Sequence, residues 1–233
     1  MPKYIKILIP LLLILEVTIH FKYGINSVFL LLKYLQCGLL IYWIYQSFKG
    51  DIDFSLKLIL IRFFIPLYLI PKFYYSDKNL RVNLELFFNL IDVVCLLLFF
   101  LMKTIPNFKV LSRSTLRKIF VSYIIVPILF FLVVLFPYLN QYFITLGTIY
   151  LLVLIFTAII SVFFSDKPIV KLYVSISVFC LIFSTGLGAI SLFLGGFRGN
   201  VEINIVITML SNIFLNLGLT TGRKYADVPS TKW

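Results

Sequence analysis

The chain has 233 residues, of which 61% are apolar and 13% charged, against roughly 45–50% and about 25% in an ordinary soluble domain; a water-soluble globule is excluded. Its formal charge is +12, but the basic residues sit at the ends of apolar stretches and are not gathered on one solvated face with aromatics between them, so no nucleic-acid partner is expected. A mean hydropathy of +1.06, with no long polar segment, predicts a single transmembrane domain over residues 1–233.

A spanning helix takes about 20 mostly apolar residues, in a range of roughly 17–25. Such stretches fall at 4–21, 26–48, 55–71, 83–103, 118–136, 142–164, 169–194 and 203–221. They predict an all-α polytopic membrane bundle of about eight transmembrane helices. The first stretch lacks an A-x-A-like cleavage site and further apolar stretches follow it, so it reads as a span and not as a signal peptide. Turn chemistry separates the stretches: Gly24 and Asn26, Lys49-Gly50-Asp51, Pro71-Lys72, Pro106-Asn107, Pro137 to Gln141, Asp166-Lys167-Pro168, and Gly195 to Asn200.

Lys and Arg favour short cytoplasmic loops, which orients the bundle. With the N-terminus inside, fourteen basic residues fall in inside segments and five (Lys22, Lys72, Lys78, Arg81, Arg198) in outside loops. Both termini are therefore expected in the cytoplasm. The densest basic stretch, from Lys103 to Lys118, reads as a topology signal against anionic headgroups.

Ionisable groups inside a membrane cost at least about 2.5–3.5 kcal/mol each at a helix centre, so they face partners or cavities. Glu16, Lys33, Arg62 and Asp92 lie within the first four spans, one per span. Two readings stand for them: ion pairs that neutralise one another within the bundle, or the lining of a polar cavity for a lipid headgroup or an ion. His20, beside Lys22, reads as an interfacial side chain. Cys37, Cys95 and Cys180 lie in apolar runs with no C-x-x-C spacing, so they read as free thiols. No metal site and no cofactor is expected.

Between Ser175 and Leu219 the apolar background is broken by small and polar residues, among them Ser177, Ser184, Thr185, Gly186, Gly188, Thr208, Ser211, Asn212 and Gly218. Small residues let helices approach, and hydroxyls or amides bond across them. Gly186-Leu187-Gly188-Ala189 is expected to be a tight helix crossing. The set reads either as packing contacts or as a polar pocket between the seventh and eighth spans.

The stretch Phe179 to Phe193, FCLIFSTGLGAISLF, followed by Thr208 to Leu219, TMLSNIFLNLGL, resembles the end of the lysoplasmalogenase (YhhN-like) family of eight-span membrane proteins. Ser184, Ala189 and Phe193 stand at the family's Ser, Ala and Phe of the seventh span. Gly218 stands at its Gly of the eighth, with Thr208 at its Tyr and Asn212 at its Gln. Lys33 stands at the Lys of its second-span Lys-Pro-Leu, with Tyr34 in place of the proline. The resemblance implies a membrane lipid as partner, while richness in Phe, Ile, Leu, Lys and Asn points to an AT-rich bacterial genome and so to a bacterial cytoplasmic (inner) membrane location.

The departures are chemical. The family hydrolyses the vinyl-ether bond of lysoplasmalogens with an aspartate in the third span and another after the seventh-span serine. This chain has Ile65-Pro66 and Thr185 at those places, and no histidine in the fourth span. Vinyl-ether hydrolysis needs a general acid and a base, each worth about 10²–10⁴-fold, and a threonine hydroxyl does not supply that proton at neutral pH. The leading expectation is a diverged, lysoplasmalogenase-like protein, non-catalytic or altered in activity and lipid-binding, with Lys33, Arg62, Ser184, Thr185 and Asn212 lining its cavity. The alternatives are an ether-lipid hydrolase with acids relocated to Asp92 and Glu16, a small transporter, and a subunit docking a membrane-protein partner.

Overall fold

The computed structural model describes the backbone of residues 3–24, 26–49, 51–75, 78–104 and 119–226, with the single helical residues 114 and 117 between the last two stretches. Among the described residues there is no strand, and eight helical segments lie over the eight expected stretches. They are α1 (Lys3–Tyr23), α2 (Ser27–Ser47), α3 (Phe54–Tyr75), α4 (Lys78–Lys103), α5 (Phe120–Tyr138), α6 (Gln141–Ser161), α7 (Pro168–Phe193) and α8 (Asn200–Ala226). The basic stretch from Lys103 to Lys118 lies almost wholly outside the described residues.

Local chemistry sets several of the ends. Asn26 accepts the Phe29 N–H at 2.9 Å to cap α2, and Asn140 accepts the Phe143 N–H at 3.0 Å to cap α6. Asp53 does the same for α3, accepting the Leu56 N–H at 2.9 Å. Pro168 opens α7, where its missing N–H costs nothing. At the other end of α7, Gly195 and Gly196 take φ of 80° and 69°, and the Gly196 N–H returns to the Ile190 carbonyl at 3.2 Å. α5 alternates π and α turns around Pro127, a helix irregularity that often marks functional places.

Six of these helices, over Ser27–Ser47, Val82–Lys103, Phe120–Tyr138, Gln141–Ser161, Pro168–Phe193 and Asn200–Arg223, are long and apolar enough to cross a membrane. α1 carries Lys3, Lys6, Glu16 and Lys22, and α3 carries Lys57, Arg62 and Lys72. Large apolar side chains face outward, including Ile7, Phe64, Phe87, Val133, Leu152, Phe179 and Phe183, while Glu16, Gln36, Arg62, Ser177, Ser211 and Asn216 are buried. Apolar groups outside and polar groups inside is the arrangement of an integral membrane protein.

The helices close a ring in which α1, α2, α3, α4, α6, α7 and α8 follow one another and α8 returns to α1. α5 packs on α6 and α7, and α8 also meets α2. At one end the ring is closed by a hydrogen bond between His20 Nδ1 and Glu202 Oε1 at 2.8 Å, which gives the expected interfacial histidine a partner. At the other end Arg223 donates to the Ser47 carbonyl at 3.1 Å and lies over the Phe48 ring.

α7 and α8 form the most extensive pair. Ser177 donates to the Ser211 carbonyl at 2.7 Å and Ser211 to the Ser177 carbonyl at 2.8 Å, a reciprocal clasp of two buried hydroxyls. The tight crossing is not at Gly186-Gly188. A Cβ at Gly186 would meet the Phe130 ring at 3.6 Å and one at Gly188 the Asn204 amide at 3.8 Å, both ordinary contacts. The close approach lies three to four turns away, where a Cβ on Gly218 of α8 would stand 2.8 Å from Val174 Cγ2. Gly186 and Gly188 line a cavity instead.

Candidate functional site: a charged cavity at one end of the bundle

The cavity, about 410 Å³, is lined by residues of α2 to α8, a size within the roughly 300–1,000 Å³ of ligand-binding cavities. Most of these residues come from the halves of their helices nearest the connections at 24–26, 137–140 and 194–199, while Leu40, Arg62, Phe63, Asp92, Pro127 and Leu154 lie just past their helix midpoints. Toward the opposite end the interior is filled by Trp43, Phe99 and Phe100, with Phe164 packed on both phenylalanines at 5.6 and 5.5 Å between ring centroids. The cavity therefore runs from the middle of the bundle toward the end away from the Lys3 and Ala226 helix termini.

Its wall is mostly apolar. Phe63, Leu86, Phe130, Phe131, Leu135, Phe143, Leu154 and Leu181 supply much of it. α5 contributes through Pro127, Phe130, Phe131 and Leu135, on and beside its π turns. Gly147 on α6 admits the Phe131 ring: a Cβ there would sit 2.9 Å from Phe131 Cε2.

Into this wall are set the expected polar residues. Lys33, Arg62, Ser184, Thr185 and Asn212 all line the same cavity, and Asp92 lines it with them. Arg62 Nε donates to Asp92 Oδ1 at 2.7 Å, joining α3 to α4. Lys33 Nζ lies 2.7 Å from Glu16 Oε1, joining α2 to α1. Glu16 is fully buried and stands behind Lys33, outside the cavity lining. The four charges form two ion pairs, and three of their members, Lys33, Arg62 and Asp92, also line the cavity. The relocated-acid pairing of Asp92 with Glu16 is not assembled, because Glu16 is held on the α1 side.

On the far wall Ser184 donates to Asn204 Oδ1 at 2.7 Å and lies 2.6 Å from the Thr208 hydroxyl. Thr185, where the resemblance puts an aspartate, shares a hydrogen bond of 3.1 Å with the Tyr150 hydroxyl. Tyr150 in turn stands within electrostatic reach of Asp92 and Arg62. The seventh-span threonine and the α3–α4 ion pair consequently face one space across Tyr150.

Sequence reasoning missed Gln36, Glu85, Asn89, Tyr150 and Asn204, all of which line the cavity. Helical spacing carried the signal for some of them. Glu85, Asn89 and Asp92 follow i, i+4, i+7 on α4, and Gln36 lies one turn from Lys33 on α2, so each shares a face with a residue already singled out. Among the described residues no group of three or more His, Cys, Asp or Glu side chains is gathered for a metal ion.

The fold and cavity define a helical membrane bundle with an internal, mixed-charge, ligand-sized chamber. Comparison with protein-family models, with curated proteins and with solved structures finds no match, so the function has to be read from the chamber itself.

Proposed function

We propose that the protein is an eight-span integral membrane protein, both termini cytoplasmic, that holds a single-chain lipid in its cavity. The observation that carries this is the combination of a mostly apolar chamber of about 410 Å³ with charged side chains, Arg62 buried among them, set into one part of its wall. An acyl chain satisfies the phenylalanine and leucine wall, and a polar end meets the Arg62, Asp92 and Ser184 groups. In this orientation the cavity runs from the middle of the membrane, at Arg62 and Asp92, into its outer half, because most of its lining comes from the helix halves opposite the termini. The resemblance to the lysoplasmalogenase family in the seventh and eighth spans supports a lysolipid-like occupant from a bacterial cytoplasmic membrane.

Binding without hydrolysis is the favoured form. Asp92 is already engaged by Arg62, and Thr185 offers a hydroxyl where the family has a carboxylate. A second reading, hydrolysis of an ether lipid, has one observation in its favour: two carboxylates, Asp92 and Glu85, line the same cavity. Both readings are tested by extracting the full-length protein in nanodiscs and measuring retained single-chain lipid and aldehyde release from lysoplasmalogen. Retained lipid that disappears when Ala189→Trp fills the cavity, with no aldehyde above the protein-free control, is the expected result. Aldehyde release lost in Asp92→Asn would establish the hydrolase, and lipid content unchanged by Ala189→Trp would remove the cavity from the account.

A further inference from the structure

Polar groups tie several of the helix junctions around the cavity. Arg62 to Asp92 joins α3 to α4, Tyr150 to Thr185 joins α6 to α7, and Ser184 to Asn204 joins α7 to α8. The α5 part of the wall is built differently. Its cavity residues Pro127, Phe130, Phe131 and Leu135 are all apolar, and Leu129, Leu132 and Val133 of the same helix face outward. α5 is therefore a wall one helix thick between the chamber and the bilayer.

Among the described residues, the polar contact from an α5 side chain to another helix is that of Tyr123 with Ser175 of α7, about two turns from Phe130. Between them stands Pro127, which has no N–H to give to the Tyr123 carbonyl, and π turns lie on both sides of it. The two flanks of α5 differ. Toward α6, the Phe131 ring fills the space where a Cβ on Gly147 would stand, at 2.9 Å, and a short turn ending on the Asn140 cap joins the two helices. Toward α7, the Phe130 ring stands over Gly186, where a Cβ would still find an ordinary 3.6 Å. Ile182 and Ala189, one turn to either side of Gly186 on the same face of α7, also line the cavity, so this seam opens onto it.

Parting the seam at Phe130 breaks apolar contacts that lipid tails replace at little cost, whereas parting a polar junction strands donors and acceptors in hydrocarbon. An acyl chain entering there never crosses water, where its methylenes are costly. We propose that the α5–α7 seam at Phe130 and Gly186 is a lateral portal through which a single-chain lipid passes between the bilayer and the cavity. This rests on the lipid-binding reading above and adds the route that reading leaves open.

The full-length protein in nanodiscs, with Cys37, Cys95 and Cys180 changed to Ala, tests it through Phe130→Cys with Gly186→Cys joined by a short, reducible bis-methanethiosulfonate. The readout is the rate at which bound radiolabelled 1-monopalmitoylglycerol exchanges with the unlabelled compound. The staple is expected to slow exchange at least about tenfold, with recovery on reduction, and the same reagent across Phe131→Cys and Gly147→Cys to change it less than about twofold. Phe130→Ala alone should speed uptake and release about threefold or more while leaving the bound amount at equilibrium nearly unchanged. Exchange unaffected by the α5–α7 staple overturns the proposal, and so does equal slowing by the α5–α6 staple. If the doubly substituted protein holds no lipid before cross-linking, Phe130→Ala decides alone, and unchanged rates in it overturn the proposal. Ala189→Trp separates the two levels: where it abolishes binding but the staple leaves exchange unaffected, only the portal fails. If it leaves binding intact, or if wild-type protein binds no probe, the lipid-binding reading fails with it.

Discussion

Arg62 donates through Nε to Asp92 at 2.7 Å, yet its Nη1 has no partner although the residue is 95% buried. One guanidinium thus ties α3 to α4 and keeps a second donor buried without a partner among the described residues. Removing one member of such a pair strands the other charge, at a cost of about 3–5 kcal/mol, whereas replacing both with apolar groups is often neutral. Asp92→Ala is therefore expected to destabilise the detergent-solubilised protein severely, and Arg62→Leu with Asp92→Leu to recover most of the loss. A double-mutant cycle on thermal unfolding measures it.

The approach of α8 to α7 at Gly218 is expected to be the most sensitive small-residue position. Val174 is β-branched and stiff, and its own backbone N lies 3.5 Å from the same added Cβ. Gly218→Ala should cost about 1–3 kcal/mol by overpacking, and Val174→Ala in the same chain should relieve it. Gly186→Ala, whose Cβ meets only the Phe130 ring at ordinary contact, should cost far less. The same unfolding assay ranks the three.

The Ser177–Ser211 clasp is a smaller term. Interhelical hydrogen bonds in membranes average about 0.6 kcal/mol and reach about 1.7. Ser177→Ala and Ser211→Ala should each lower stability within that range, and the double variant by less than the sum, because each hydroxyl serves the same crossing.

Asp53 gives a pH-dependent test outside the spans. Partial burial works against its ionisation, yet hydrogen bonds from the Lys103 ammonium, the Ser55 hydroxyl and the Leu56 N–H outweigh it and hold its pKa at about 2. The ordinary value is about 3.9, so the folded-state pKa is depressed. The resulting stabilisation is complete above about pH 4–5 and is lost as pH falls toward 2. Both side chains are well exposed, so solvent screening keeps the pair below about 1 kcal/mol. Asp53→Asn keeps the helix cap and should lower the unfolding temperature slightly at pH 7, with the difference from wild type vanishing by about pH 2.

Much of the architecture was legible because membrane helices advertise themselves by length and apolarity, and all eight helical segments fall where the sequence placed apolar stretches. The in-span charges Lys33, Arg62 and Asp92 were legible as cavity candidates for the same reason: in an apolar background a lone charge needs an explanation. Two things were not. Which acid goes with which base depends on helix neighbours, and only the ring order shows that Glu16 belongs to Lys33 and stands outside the cavity. The glycines of Gly186-Leu187-Gly188 look like a crossing in one dimension, but their free sides face the Phe130 ring and the Asn204 amide, while the contact that needs a glycine is made by Gly218. Glu85 was not singled out, although its spacing from Asp92 places it on the same face of α4.

The most direct measurement of a lipid held inside the bundle is photo-crosslinking in native-composition nanodiscs with a C16 monoacylglycerol bearing a diazirine at the chain end, followed by mapping of the adducts. The account predicts adducts on cavity residues such as Phe131, Leu135, Phe143 and Leu154, abolished by Ala189→Trp. Adducts confined to outward-facing residues such as Val133, Leu152, Phe179 and Phe183 would contradict it.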